Sequence, residues 1–261
     1  PHAPRRRESL NYAVQAMCRE YRLVRAQVRG TWRSNNYAYA RLPSWLGGPL
    51  TLADPAAARA ELARRYLAAY GPASFGDLKW WAGWTVRDTR AALAAAGDEV
   101  VPVSIGLPGA PPQDALALAG DLGTLAGTSP DAARGVTLLP VWDTLMMGYE
   151  RASRVHRLVA PEHYQRVYDG SGNGTSVVLA DGLAAGVWEV DGAASMTVRI
   201  APFGAGLAGR WAEAEAAAAG LAKAFGATDL RVERCPEPGY LADGPRNAYL
   251  SPISLCAAPG S

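Results

Sequence analysis

Cysteine is scarce in this sequence. The three present (Cys18, Cys235 and Cys256) are an odd number with no C-x-x-C pair. That spacing argues against a disulfide framework or a zinc site, and it fits a reducing compartment best. Histidine is equally rare. His2, His156 and His163 stand at no metal-ligand spacing from a cysteine or carboxylate, so no metal is expected, and His163 reads as a surface residue. No run of about 18 apolar residues free of charge occurs, which excludes a membrane-spanning helix. No G-x-S-x-G is found, so an α/β-hydrolase has no support. Pro1-His2-Ala3-Pro4 contains neither a methionine nor a signal-peptide apolar region, and reads as a chain whose true N-terminus lies upstream. What the sequence does have is apolar content. Its 261 residues are 49% hydrophobic, too much for a disordered chain and enough for one large domain or two ordinary ones.

The net charge of +2 conceals an asymmetry. The first 41 residues carry nine arginines, no lysine, and only Glu8 and Glu20 as acids, a balance of +7, which leaves −5 for the remainder. Arginine forms bidentate and stacked contacts with phosphates better than lysine does. A basic segment of this kind points to a polyanionic partner, nucleic acid above all. The competing reading is a basic surface without a partner, in a sequence whose coding favours arginine.

Periodicity places the elements. Leu10, Val14, Met17 and Cys18 repeat at helical spacing. From Tyr21 to Arg29 the period becomes two, with Leu23, Arg25, Gln27 and Arg29 on one side and Val24, Ala26 and Val28 on the other. Trp32 to Arg41 alternates likewise, with Tyr37, Tyr39 and Arg41 on one side. A helix and a β-hairpin with a polar face of arginine and tyrosine are expected.

Three helices follow. The first runs Pro55 to Tyr70, with Leu62, Tyr66, Leu67 and Tyr70 on its apolar stripe. The second starts at Ser74, with Asp77 in a capping box, and points Leu78, Trp81 and Ala82 inward. The third runs from Thr85 to Ala96, with Arg87 and Arg90 on its polar side. A strand over Asp98 to Ile105 completes the order of a winged helix. A further helix is expected around Gln113 to Leu118 and a strand over Val136 to Val141. After an arginine-rich stretch (Arg151, Arg154, Arg157), β-structure is expected from Gln165 onward. Hairpin signals stand at Asp181-Gly182 and Asp191-Gly192, and one helix over Leu207 to Phe225 carries Trp211, Leu221 and Phe225. The fold class is therefore α+β.

Two motifs invite functional readings that bland ones outweigh. Gly170-Ser171-Gly172-Asn173-Gly174 lacks the Lys-Ser/Thr of a phosphate loop, and a β-turn explains it. Trp80, Trp81 and Trp84 suit core packing better than base stacking. The hairpin is more evenly balanced: its tyrosines and arginines suit a phosphate backbone or a groove, or else it is a wing packed on its own domain.

The segment Leu138-Leu139-Pro140-Val141-Trp142-Asp143, with Gly148 and Arg151 beyond it, resembles a winged-helix DNA-binding family that includes the bacterial AlkZ-type DNA glycosylases. Arg29 to Leu46, Ala58 to Trp84 and the stretch YDGSGNGTSVVLADGLAAGVWE are similar to it as well, so the resemblance covers most of the chain. It implies tandem winged-helix units followed by a C-terminal antiparallel β-rich domain. Residues 1–50 would be the last helix and wing hairpin of an incomplete first unit, 51–135 a winged-helix domain, and 136–261 the β-rich domain.

The resemblance also implies excision of alkylated bases or unhooking of interstrand crosslinks, double-stranded DNA as partner, no cofactor, a monomer, and a cytoplasmic, nucleoid-associated location. The wing maps onto Arg22 to Arg41. The expected DNA-binding residues are therefore Arg22, Arg25, Gln27, Arg29, Arg33, Tyr37, Tyr39 and Arg41, joined by Arg87 and Arg90. The family's catalytic Gln-x-Gln or Gln-x-Glu pair has no counterpart: Gln15, Gln27, Gln113 and Gln165 lack Gln or Glu two positions on, and no catalytic residue is carried over. Either the pair lies outside these residues, or this member is a non-enzymatic DNA-binding protein such as a transcriptional regulator.

Overall fold

The computed structural model describes residues 3–30, 36–106 and 110–241, with the backbone alone at 3–9 and 130. Arg33 and Cys256 lie outside the described residues. Two compact units are present, Pro1–Pro55 and Ala56–Ser261.

The small unit is a helix, a hairpin and a short second helix: α1 (Ala3–Arg19), β1 (Leu23–Val28), β2 (Tyr37–Arg41) and α2 (Leu42–Leu46). Tyr21 ends α1 in the left-handed region (φ 58), and the Arg22 amide turns back to the Met17 carbonyl at 2.9 Å, a common way to satisfy the last carbonyls of a helix. β1 and β2 pair antiparallel, but their register shifts between Arg25 and Gln27. Ala26 is the extra residue of a β-bulge, so the strict alternation expected for β1 does not hold. Among the described residues of this unit, no side chain is fully buried.

The larger unit begins with α3 (Pro55–Tyr70), α4 (Phe75–Ala82) and α5 (Val86–Ala96), followed by a hairpin of β3 (Val100–Ile105) and β4 (Gln113–Leu118). Ser74 caps α4 in a full capping box with Asp77, and Thr85 caps α5. The buried stripe of α3 is Ala60, Ala63, Tyr66 and Leu67, whereas Leu62 turns outward. The helix expected at Gln113 to Leu118 is strand β4 instead. Its alanines Ala115 and Ala117 alternate into the interior, all six residues pair with β3, and Leu116 exchanges both backbone hydrogen bonds with Ala73. Tertiary pairing overrides the helical propensity of this alanine- and leucine-rich segment.

Next come α6 (Leu122–Gly127), β5 (Val136–Leu139), α7 (Arg151–Arg157) and α8 (Tyr164–Val167). The β-structure expected to start at Gln165 is at first one helical turn, set up by a 3-10 turn that begins at Pro161. A five-stranded sheet completes the unit in the order β5, β6 (Val177–Ala180), β7 (Leu183–Gly192), β8 (Ser195–Pro202) and β9 (Asp229–Arg234). Antiparallel pairing prevails, as expected, except that β9 runs parallel to β8. The return of the chain through α9 (Trp211–Ala224) makes that pairing possible, since parallel neighbours need a crossover.

Both faces of the sheet are covered, which accounts for its nearly continuous apolar strands. Val177, Leu179, Val187 and Ala201 join Ala63, Tyr66, Leu67 and Leu78 of the helices in one core. Val178, Met196, Val198 and Ile200 form the other with Ala214, Ala218 and Ala222. The three alanines, four residues apart, are the buried stripe of α9, while Phe225, expected as one of its large apolar residues, caps its end and is exposed.

Candidate nucleic-acid interface

In an antiparallel pair, residues directly opposite one another share a face. Arg25 lies opposite Tyr39, Leu23 opposite Arg41, and Val28 opposite Tyr37. The Arg25 guanidinium sits 4.8 Å from the centre of the Tyr37 ring, a cation–π contact that holds the cation in place without neutralising it. Arg25, Arg29, Tyr39 and Arg41 are exposed. Gln27 pairs with Ala38 and the Arg29 amide donates to the Asn36 carbonyl, so both leave the face of Arg25 and Tyr39, because the bulge shifts the alternation. Among the described residues the one acidic partner of these cations is Glu20, 3.7 Å from exposed Arg22. A pair so exposed is worth little. Among the described residues the hairpin thus presents a cationic, aromatic face of Arg25, Tyr37, Tyr39 and Arg41 to which no acid is paired.

Arg87 and Arg90 belong to the larger unit, on the outer side of α5, and both are exposed. Arg87 stands 3.9 Å from Asp88, whose carboxyl is held below the usual range chiefly by the Thr85 hydroxyl.

One constellation in the larger unit escaped the sequence reading. The arginine-rich stretch falls on α7, and its three arginines serve different ends. Arg157 donates to the Pro72 carbonyl at 2.7 Å and lies over Tyr149, so it is a structural clamp. Arg154 is 1% exposed, sandwiched between Trp80 (4.6 Å) and Tyr168 (4.5 Å). It donates to the Gly172 carbonyl at 3.1 Å, and its Nε has no partner. Arg151 is exposed and lies over Tyr164 at 5.0 Å. Burial pushes the Tyr168 hydroxyl well above its ordinary pKa, against the opposing pull of Arg154; it donates to the Met146 carbonyl at 2.7 Å and remains protonated. Trp80, Arg151, Arg154, Tyr164 and Tyr168 line a cavity of about 260 Å³.

Asp77 joins this region to the helices. Its buried carboxylate accepts from the Ser74 amide and hydroxyl, the Glu150 amide and the Ser153 hydroxyl, all between 2.8 and 3.0 Å. Gly148 has Tyr70 so close that an added Cβ would sit 2.6 Å from the ring, while its carbonyl accepts from the Tyr66 hydroxyl at 2.9 Å. The Gly170–Gly174 loop cradles no phosphate with its amides. Those of Ser171 and Asn173 donate to the Asp169 carboxylate and that of Gly172 to its carbonyl. His163 stacks on Phe203 at 4.6 Å and is a packing residue. Trp81 rests on Tyr66 and Tyr70, and Trp84 against the core. Among the described residues no group of three or more His, Cys, Asp or Glu could hold a metal ion.

The model of one family, DNA glycosylase AlkZ-like, matches residues 3–224. This chain belongs to the AlkZ-like family. A curated relative, the interstrand DNA cross-link repair glycosylase of Streptomyces sahachiroi, is 29% identical over 140 residues, 52% of this chain and 35% of the relative. The solved structure of Streptomyces sahachiroi DNA glycosylase AlkZ is similar with a TM-score of 0.65 at 27% identity, covering 78% of this chain and 53% of that one. The chain therefore spans about a third of the curated relative and about half of the solved one. Within the AlkZ-like match fall α1 to α9 and every strand except β9.

Proposed function

We propose that this chain binds duplex DNA as part of a DNA-repair glycosylase that excises alkylated bases or unhooks interstrand crosslinks. One observation carries the reading: the hairpin of a member of this family holds Arg25, Arg29, Tyr39 and Arg41 exposed, with Arg25 propped on Tyr37. Phosphate contacts of that kind supply affinity and position rather than sequence preference. In this reading residues 1–50 provide a last helix and wing, 51–135 a winged-helix domain with Arg87 and Arg90 toward the backbone, and 136–261 a β-rich domain. The protein acts as a monomer in the cytoplasm, at the nucleoid. No described helix is long and apolar enough to cross a membrane.

Cleaving the glycosidic bond of an alkylated purine needs little acid help, because the cationic base is already a good leaving group. The protein has to position a water and stabilise a positively charged sugar. The glutamine pair suited to this is not among these 261 residues. Base release is therefore to be assayed with the chain in its full-length context, on duplex containing 7-methylguanine or a crosslink. Release supports the glycosylase; tight binding without release leaves a DNA-binding protein of the regulator class, which family membership does not favour.

A further inference from the structure

The cavity beside Trp80 has no part in duplex binding by the hairpin. We propose that it binds the phosphate group of an unpaired nucleotide, with the phosphate beside Arg151 and Arg154 and the base against Trp80. The nucleotide half of this assignment rests on the DNA-binding reading above, whereas the anion half does not.

Arg154 is the starting point. A guanidinium stays protonated in any protein environment, and withdrawing a charge from water is costly unless it is paired. This one is fully buried, and its contacts are two aromatic faces, a carbonyl and the Met147 sulfur, with Nε unpartnered. Aromatic faces offset part of the cost, and an anion in the cavity that Arg154 lines would offset more. Arg151 adds an exposed second guanidinium to the same wall. The acid facing them, Asp169, is occupied: it accepts from the amides of Ser171 and Asn173 and from the Asn173 side chain. Those loop amides are consequently unavailable to a phosphate, so the arginines must hold it.

Size and shape suit the assignment. The cavity of about 260 Å³ is several times the roughly 30 Å³ share of one liquid water, ample for a phosphate. Trp80 and Arg151 also border a second, more open cavity of about 590 Å³. Trp80 is 42% exposed and supplies an indole for stacking. Bases stack on such rings regardless of sequence, but only once out of the duplex.

Calorimetric titration of the chain with inorganic phosphate, thymidine monophosphate, a short single-stranded oligothymidylate and a duplex tests this. Wild type and Arg25→Ala plus Arg29→Ala are expected to bind inorganic phosphate and thymidine monophosphate alike. Arg151→Ala should weaken phosphate and thymidylate at least fivefold. Trp80→Ala should weaken the oligothymidylate about tenfold while sparing inorganic phosphate. Arg154→Lys, which keeps the charge but not the planar fork, should weaken all three. Unchanged phosphate and thymidylate affinity in Arg151→Ala overturns the anion site. Equal affinity for phosphate and thymidylate, with Trp80→Ala silent, overturns the nucleotide assignment. Phosphate binding without duplex binding keeps the anion site and sinks the duplex reading; duplex binding with silent cavity variants does the reverse.

Discussion

The two units are held together in opposite ways. The larger one buries Tyr66, Leu67, Leu78, Met146, Ile200 and Leu207 in two cores that sandwich a sheet. In the small one no described side chain is fully buried, and Leu10, Tyr12, Tyr21, Trp45, Leu46 and Leu52 are exposed. Its shape comes from one backbone ladder, from α1 lying against β1 and from α2 lying against both strands. A segment of that size has too little interior to offset the entropy of ordering it. The same poverty of burial leaves Arg25, Arg29 and Arg41 exposed to a partner. Stability and charge are thus segregated: one unit concentrates apolar contact, the other cationic surface.

This contrast is most directly challenged by truncating an apolar residue on each side. Leu78→Ala, at a fully buried position, is expected to cost about 2–5 kcal/mol, read by chemical denaturation of the larger unit. Leu10→Ala, at an exposed one, should stay within about 0.5 kcal/mol. Equal losses would mean that the small unit has an interior after all. Asp77→Ala comes next. It strands the amides of Ser74 and Glu150 and the hydroxyls of Ser74 and Ser153, at about 3 kcal/mol. A near-neutral result would show that the junction between α4 and α7 holds by apolar contact alone.

How far the sequence could be read follows the same division. Capping is local, so Ser74-x-x-Asp77 and Thr85 place α4 and α5 correctly. The hairpin over 21–41 is legible from its alternation, yet its bulge is not. No local signal marks Ala26 as the extra residue, and Gln27 and Arg29 are assigned to the wrong face in consequence. β4 looks helical because alanine and leucine favour helices; only pairing with β3 and Ala73, absent from any local window, makes it a strand. The cavity was the least legible. Trp80, Arg154 and Tyr168 are far apart in the chain, and the sole clue was a cluster of arginines next to a glycine-rich loop.

On the small unit the effects should appear in binding rather than stability. Arg25→Ala plus Arg29→Ala removes two exposed cations, so duplex affinity should fall about tenfold and the slope of log K against log salt should flatten by roughly two. The denaturation midpoint of the larger unit should not move. An unchanged salt slope, measured by fluorescence anisotropy from low to physiological salt, would take the hairpin out of the interface.

The smallest effect concerns a surface network of the larger unit that ties the β5–β6 end of the sheet to α9. Arg210 reaches Asp181 at 2.8 Å and Glu213 at 2.7 Å. The Gly135 amide and Arg210 hold the Asp181 carboxyl below its usual range, and Arg210 does the same for Glu213. A carboxyl whose pKa is lowered on folding contributes stability above its unfolded value of about 4, and that contribution fades as pH falls through the lower folded value. The melting temperature of wild type should therefore exceed that of Asp181→Asn slightly at pH 7, with the gap closing in acid as the Asp181 carboxyl takes up its proton. Because Asp181 is half exposed, added salt should narrow the gap as well. Because asparagine keeps the oxygen that accepts from the Gly135 amide, a gap that stays the same from pH 7 into acid would mean that the charge of Asp181 contributes nothing to this network.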